Sequence, residues 1–268
     1  MNERSVSYDR IADRYDATRG YTAAGTARIT EILTAEFAGR GKVLEIGTGT
    51  GQLALGLHAA GIDVTGVDRS APMLSRVGAK AGGTPPFPLV VGDATELPLR
   101  DDAFGAAYFR WILHLIADWR GVMAEAVRVV GQGGIIAAAI GGFGGAKSEV
   151  QRHFEELAGA VSEPIGLPWS DWASLDRLMV SLGCRVRTLP AFEDADRQSL
   201  EEFIQATQDD AYSWTWKLDP HIRIRLAEET RAWALERFGD LTEIHQVFAV
   251  EWHAYDVGSR TVSPSRTA

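Results

Sequence analysis

The chain has 268 residues, 46% of them apolar and 24% charged, the balance of a globular protein able to bury a large core. A formal net charge of -9 excludes the basic footprint of a nucleic-acid binder, and no segment reaches the ~20 apolar residues of a membrane-spanning helix. The single cysteine, Cys184, has neither a disulfide partner nor a neighbouring Cys/His cluster, so it reads as a small buried apolar residue and no metal is expected.

The N-terminal stretch MNERSVSYDRIADRYDATRG carries charge throughout and no apolar run of signal-peptide length, which predicts a cytoplasmic protein. Between 5 and 38 the apolar residues fall at helical spacing: Tyr8, Ile11, Ala12 and Tyr15, then Ile29, Ile32, Leu33 and Phe37. Two helices are expected before the first strand, KVLEIG (42–47). A helix over 52–61 closed by Gly61 and a strand DVTGVD (63–68) complete a β-α-β unit. The rhythm repeats with a helix over 70–81, opened by a capping Ser70 and Pro72, and a strand PLVVGD (88–93). AFGAAYF (103–109), a helix over 118–131 and GIIAAAI (134–140) follow. Five apolar strands alternating with helices predict a parallel sheet covered on both faces.

Past the glycine-rich GGFGG the pattern changes to helices over 148–160 and 171–182, a segment CRVRTLPAF, helical periodicity over 198–238 and an alternating strand HQVFAVEWHAYDV (245–257). An antiparallel edge is expected from that last strand, and a flexible tail from 258–268.

In open parallel sheets ligands sit beyond the carboxyl ends of the strands. After the first strand come Gly47, Gly49 and Gly51, with Glu45 two residues ahead. A dinucleotide fingerprint would need glycine at 52, where Gln52 stands, and no Gly-Lys-Ser/Thr follows for a phosphate loop. Glycines in this place let the backbone take positive φ and approach a ligand closely. Asp68 ends the second strand, where a carboxylate can accept both hydroxyls of a ribose, and Asp93 ends the third, where it can meet an adenine amino group. Three strand ends then converge on a nucleoside-bearing ligand.

These residues resemble the class I S-adenosylmethionine-dependent methyltransferases, in the small-molecule group with ExGxGxG, VxGVDxSxxML and GDAxxLP patterns. The chain shows EIGTGTG, VTGVDRSAPML and GDATELP, and further on WILHLIADW and EAVRVVGQGG. The resemblance implies a Rossmann-like doubly wound α/β fold: a seven-stranded, mostly parallel sheet with an antiparallel C-terminal edge. It also implies a helical N-terminal lid over 1–40, a cofactor-binding core over 41–142, and acceptor-site helices within 143–257. The implied cofactor is S-adenosylmethionine, held by Glu45, Gly47, Thr48, Gly49 and Gly51 at the turn, by Asp68, Arg69 and Met73 after strand two, and by Asp93 and Ala94 after strand three. Tyr15 and Arg19 in the lid, the latter pairing with the methionine carboxylate, and Arg110 after strand four complete the set. The chain departs from the family at Gly105, where an acid is common, and at Arg110-Trp111, where relatives carry small or amide residues.

Methyl transfer is an in-line displacement for which the protein supplies positioning, a dry pocket and, where needed, a base. His114 is the candidate base. Trp169, Trp172, Trp214, Trp216 and Tyr212 are candidates for an apolar acceptor pocket as well as for core packing. The implied activity is methylation of a small molecule at oxygen, nitrogen or carbon; the alternatives are a nicotinamide-dependent oxidoreductase and a non-catalytic cofactor binder. Oligomeric state is not legible in one chain.

Overall fold

The computed structural model describes residues 5–141, 144–159 and 165–258. The middle of GGFGG, the last residue of the predicted helix 148–160, residues 161–164 after it and the predicted tail from 259 onward lie outside them.

Seven strands form one sheet: β1 (Lys42–Ile46), β2 (Asp63–Asp68), β3 (Leu89–Val91), β4 (Phe104–Arg110), β5 (Val130–Ala139), β6 (Cys184–Thr188) and β9 (His253–Val257), in the order β3-β2-β1-β4-β5-β9-β6. The first five are parallel, and β9 runs antiparallel to both β5 and β6. The antiparallel strand therefore sits one place in from the edge. Order reverses between β1 and β4, which opens a crevice at their carboxyl ends.

Both faces are covered because the central strands are apolar on both sides. On one face Ile29 and Leu33 of α2 (Ala23–Phe37), Leu57 of α3 (Ala54–Ala59) and Val77 of α4 (Ala71–Lys80) pack on Val43, Val64 and Ala106. On the other, Val122 and Met123 of α5 (Trp119–Val129) and Leu175 and Met179 of α7 (Trp172–Ser181) pack on Leu44, Phe109 and Ile136. A separate core joins Phe154 of α6 (Gly145–Ala158), Phe203 of α8 (Leu200–Gln208) and Leu226 of α9 (Pro220–Phe238). Ser70 caps α4 as expected, its Oγ accepting from the Met73 N–H at 3.2 Å. Cys184 is buried, and burial beside Asp256 pushes its thiol up to about 11, so it stays protonated and inert. No helix among the described residues is long and apolar enough to cross a membrane.

Tertiary packing overrides the local pattern in four places. The Tyr8–Tyr15 periodicity does not make a helix: a 3-10 turn (Asp9–Ile11) leads to the single turn α1 (Tyr15–Thr18), and Ser5 bridges Ile116. Tyr8 is held instead by edge-on contacts to Tyr15 and Trp216. The helix expected to end at Gly131 passes directly into β5 at Val130, which pairs with Phe104. The helical run 198–238 is broken by a 3-10 turn (Ser213–Thr215) and restarts at Asp219-Pro220, where the Asp219 carboxylate caps α9. The expected single strand 245–257 is two: β8 (Val247–Val250) pairs with β7 (Phe192–Ala195) in a small sheet of its own, and only β9 joins the main sheet.

Gly105 has a structural cause. A Cβ at this position would lie 1.6 Å from the Arg40 carbonyl oxygen, so the loop before β1 occupies the space an acid would need. Gly105→Asp is expected to cost at least about 3 kcal/mol and to lower the thermal midpoint by roughly 6 °C or more, read by a circular-dichroism melt.

Candidate active site

β1 delivers Glu45 and Ile46 to the carboxyl edge of the sheet, where the chain turns through Gly47, Gly49 and Gly51 at φ +77°, +55° and +74°. Side chains are excluded as well as disfavoured: a Cβ on Gly47 would lie 2.5 Å from Ile112 Cγ2, and one on Gly51 2.9 Å from Val77 Cγ2. Both the Gly47 and Thr48 N–H groups donate to the Val67 carbonyl, at 2.8 and 3.0 Å. The Thr48 hydroxyl, buried, donates to the Glu45 carbonyl at 3.1 Å. Gly49 N–H donates to Asp68 Oδ2 at 2.8 Å and Ser70 N–H to Oδ1 at 2.9 Å. Asp68 is thus fixed by one backbone donor on each oxygen, with further lone pairs left on both. Burial raises its pKa, against those two hydrogen bonds.

A cleft of about 750 Å³ opens here, lined by Gly47, Gly49, Asp68, Arg69, Met73, Asp93, Ala94 and Arg110 together with Ser5, Tyr8 and Ile112. Asp93 lies past the end of β3; its Oδ1 accepts from the Thr95 N–H and hydroxyl at 2.9 and 2.7 Å, and although burial works the other way these bonds hold its pKa below the usual carboxylate range. Arg69 reaches back to the Ser5 carbonyl at 3.3 Å. At the inner end a smaller cavity of about 310 Å³ lies between Tyr15, Glu45, Thr50, Gln52 and Arg110. Glu45 is 5% exposed; burial pushes its carboxyl up to about 8, against the pull of the Arg110 charge. Neither Glu45 Oε2 nor the Tyr108 hydroxyl has a hydrogen bond of good geometry among the described residues.

Gln52, which stands where a dinucleotide fingerprint would have a glycine, ties this corner together. Its Nε2 donates to Asp16 Oδ1 at 2.7 Å and to the Arg19 carbonyl at 3.0 Å, and its Oε1 accepts from Arg110 at 2.5 Å. Asp16 also pairs with Lys80 at 2.5 Å and accepts from the Thr50 hydroxyl at 2.6 Å. The N-terminal segment is thereby pinned to the glycine turn, with Tyr15 facing the cleft.

A second cavity, of about 920 Å³, shares Tyr8, Tyr15, Trp111 and Leu115 with the first. His114 lies in its wall, stacked on Trp169 with ring centroids 3.6 Å apart. Burial, reinforced by the Arg19 charge, pushes the imidazole down to about 3, so it is neutral near pH 7 and a weak proton acceptor. Arg19, which the resemblance implies as the partner of the cofactor's carboxylate, lines this second cavity. It donates to the Ala211 carbonyl at 2.8 Å, and its guanidinium lies 5.4, 5.1 and 4.7 Å from the Tyr8, Tyr15 and Tyr212 rings. Arg110 is the cation beside Glu45. Trp169, Trp214 and Tyr212 line the second cavity; Trp172 instead stacks on His253 and Trp216 packs on Tyr8. Trp111, between the two cavities, holds φ +57°, a strained conformation for a bulky residue that recurs at functional sites. Lys147 and Asp196, also in the second wall, carried no sequence signal because they are 49 positions apart by number and meet only in the fold. No cluster of three or more His, Cys, Asp or Glu able to hold a metal occurs among the described residues.

The strand order, the reversal at β1/β4 and the acid-ended strands around a glycine turn define a Rossmann-like architecture. Residues 44–138 match the model of the methyltransferase domain family. It is 35% identical over 136 residues to the demethylmenaquinone methyltransferase of Streptomyces avermitilis, a match covering 50% of this chain and 58% of that one; the chain thus spans little more than half the length of this curated relative. Among solved structures it is similar to the YcgJ protein of Bacillus subtilis, at TM-score 0.59 and 17% identity over 88% of this chain and 100% of the other. It is also similar to the phosphoethanolamine N-methyltransferase 2 of Haemonchus contortus solved with phosphomonomethylethanolamine and S-adenosylhomocysteine, at TM-score 0.56 and 15% identity, over 94% and 58% of the chains. At these identities the two structures speak to the fold alone.

Proposed function

We propose that the protein is an S-adenosylmethionine-dependent methyltransferase acting on a small molecule held in the second cavity. The observation that carries the reading is the pairing of the two cavities: a cleft with an acid at the ends of β2 and β3 shares Tyr15 and Trp111 with an aromatic chamber. The residues present fit the cofactor. Asp68 has lone pairs free that would hold a ribose diol, Asp93 and Ala94 would meet the adenine, and Glu45, whose Oε2 has no hydrogen bond of good geometry among the described residues, would take the methionine ammonium, with Arg110 beside it for the carboxylate. When bound, S-adenosylmethionine supplies an electrophilic methyl group whose bond to sulfur breaks as the acceptor's lone pair bonds to carbon. The glycine turn and the acids orient that group, the segment 5–40 acts as a lid excluding water, and the neutral His114 accepts a hydrogen bond from the acceptor rather than carrying off its proton unaided.

Calorimetry with S-adenosylmethionine, S-adenosylhomocysteine and NAD checks the reading. Binding of the first two and not of NAD is expected; NAD binding alone would overturn it in favour of an oxidoreductase. Label transfer from methyl-labelled cofactor to a metabolite extract then separates an enzyme from a binder that never turns over.

A further inference from the structure

The wall of the second cavity contains an ion pair that no step above uses. Lys147, on α6, and Asp196, just past β7, meet at 2.7 Å between Nζ and Oδ2, with side chains 2% and 18% exposed, and both line the cavity. The other oxygen of Asp196 accepts the Gln198 N–H at 3.0 Å, which fixes the carboxylate. The Lys147 ammonium lies 5.1 Å from the Phe203 ring centroid. Burying such a pair removes two ions from water, and packing alone would be served as well or better by apolar side chains of similar size. Both residues lie outside the family match at 44–138.

A ligand meeting this pair faces a donor and an acceptor side by side. A carboxylate is drawn to Lys147 but repelled by Asp196, and an ammonium meets the reverse. An apolar group covers both charges and satisfies neither. A neutral hydroxyl accepts from the ammonium and donates to the carboxylate, so it alone of these four heads leaves no charge opposed. The rest of the chamber favours a flat body: His114 is stacked on Trp169, and Tyr212 on Trp214 with planes 13° apart. Resting on the methyltransferase reading of the same site, we propose that the acceptor is a flat hydroxyaromatic molecule whose hydroxyl is bound by the Lys147–Asp196 pair.

The test uses four probes with one ring system, 1-naphthol, naphthalene, 1-naphthoate and 1-naphthylmethylammonium, titrated calorimetrically into the full chain saturated with S-adenosylhomocysteine. Naphthol is expected to bind at least about tenfold tighter than each of the others, the margin of one charge-assisted hydrogen bond. In Lys147→Met/Asp196→Ser, where serine keeps an oxygen for the Gln198 N–H, the margin over naphthalene is expected to fall below about threefold with S-adenosylhomocysteine affinity unchanged. Asp196→Asn, which keeps the side-chain shape, is expected to tighten naphthoate about tenfold by removing the repulsion, and it stands as an independent check should the double variant not fold. Equal binding of naphthol and naphthalene, a preference for either charged probe, no probe binding at all, or an unchanged margin in the variants would each overturn the proposal. Loss of S-adenosylhomocysteine binding by the unaltered chain would instead overturn the cofactor reading, and the same titrations without it still report the hydroxyl preference.

Discussion

Asp68→Ala is expected to lose about 100-fold or more in affinity for S-adenosylhomocysteine, while His114→Ala loses less than about threefold. The difference follows from where the two side chains stand. Asp68 ends β2 with each oxygen already oriented by a backbone donor, Gly49 N–H on one side and Ser70 N–H on the other, so its remaining lone pairs are aimed into the cleft at no further cost of ordering. A hydrogen bond to a charged group contributes about 1.5–3 kcal/mol, and two such bonds to a diol account for the expected loss. His114 lines the second cavity, stacked on Trp169. Removing Asp68 also leaves the Gly49 and Ser70 N–H groups without partners, so the melt of the variant is measured beside its affinity. The isosteric Asp68→Asn is expected to bind almost as poorly, because its amide nitrogen must point at one of those two donors. Equal losses from Asp68→Ala and His114→Ala would place the histidine in the cofactor cleft.

Glu45→Gln is expected to have opposite effects on stability and on cofactor binding. The Glu45 carboxyl titrates at about 8 in the fold against an ordinary 4.5, because burial penalises its charge more than Arg110 favours it. Between those two values the folded chain holds a proton that the unfolded chain has released, so this residue's contribution to stability falls as pH rises through the window and is lowest above pH 8. The burden is on the order of several kcal/mol. The thermal midpoint of the unaltered protein is therefore expected to decline from pH 5 to pH 8.5 relative to Glu45→Gln, with the variant the more stable at the alkaline end. Binding reverses the order. An ammonium placed at Glu45 Oε2 draws the proton off, so the unaltered protein releases a proton on binding S-adenosylmethionine at pH 7, visible as a calorimetric enthalpy that depends on the buffer. Glu45→Gln is expected to lose that dependence and about tenfold or more in affinity. An enthalpy independent of buffer in the unaltered protein would mean that Glu45 does not meet the ammonium.

The glycine turn, Asp68 and Asp93 were legible because each is a local event: a strand's apolar run ends, and the residue that ends it projects from the carboxyl edge of the sheet. Ser70 and Pro72 at the start of α4 were legible for the same reason. The surroundings of Arg19 were not legible, because the Ala211 carbonyl and Tyr212 ring that hold it come from nearly 200 residues away, as the 192-residue separation of its hydrogen bond shows. Its chemistry was readable from the sequence, but its location was not. The alternating run 245–257 looked like one strand because period-two burial does not say which sheet a strand joins. β8 and β9 keep the alternation while pairing with different partners.

The sequence by itself determined the parallel α/β core, the direction in which its strands present their ends, and the acids and glycines at the first three of them, since apolar periodicity and glycine spacing act within a few residues. Only the tertiary structure decided that Gln52 fastens the N-terminal segment to the turn, that Arg110 and not Arg19 stands beside Glu45, and that Lys147 meets Asp196 in the chamber beyond. Those are encounters between side chains far apart in the chain, set by which helices the sheet brings together and by the low dielectric in which their charges must find partners.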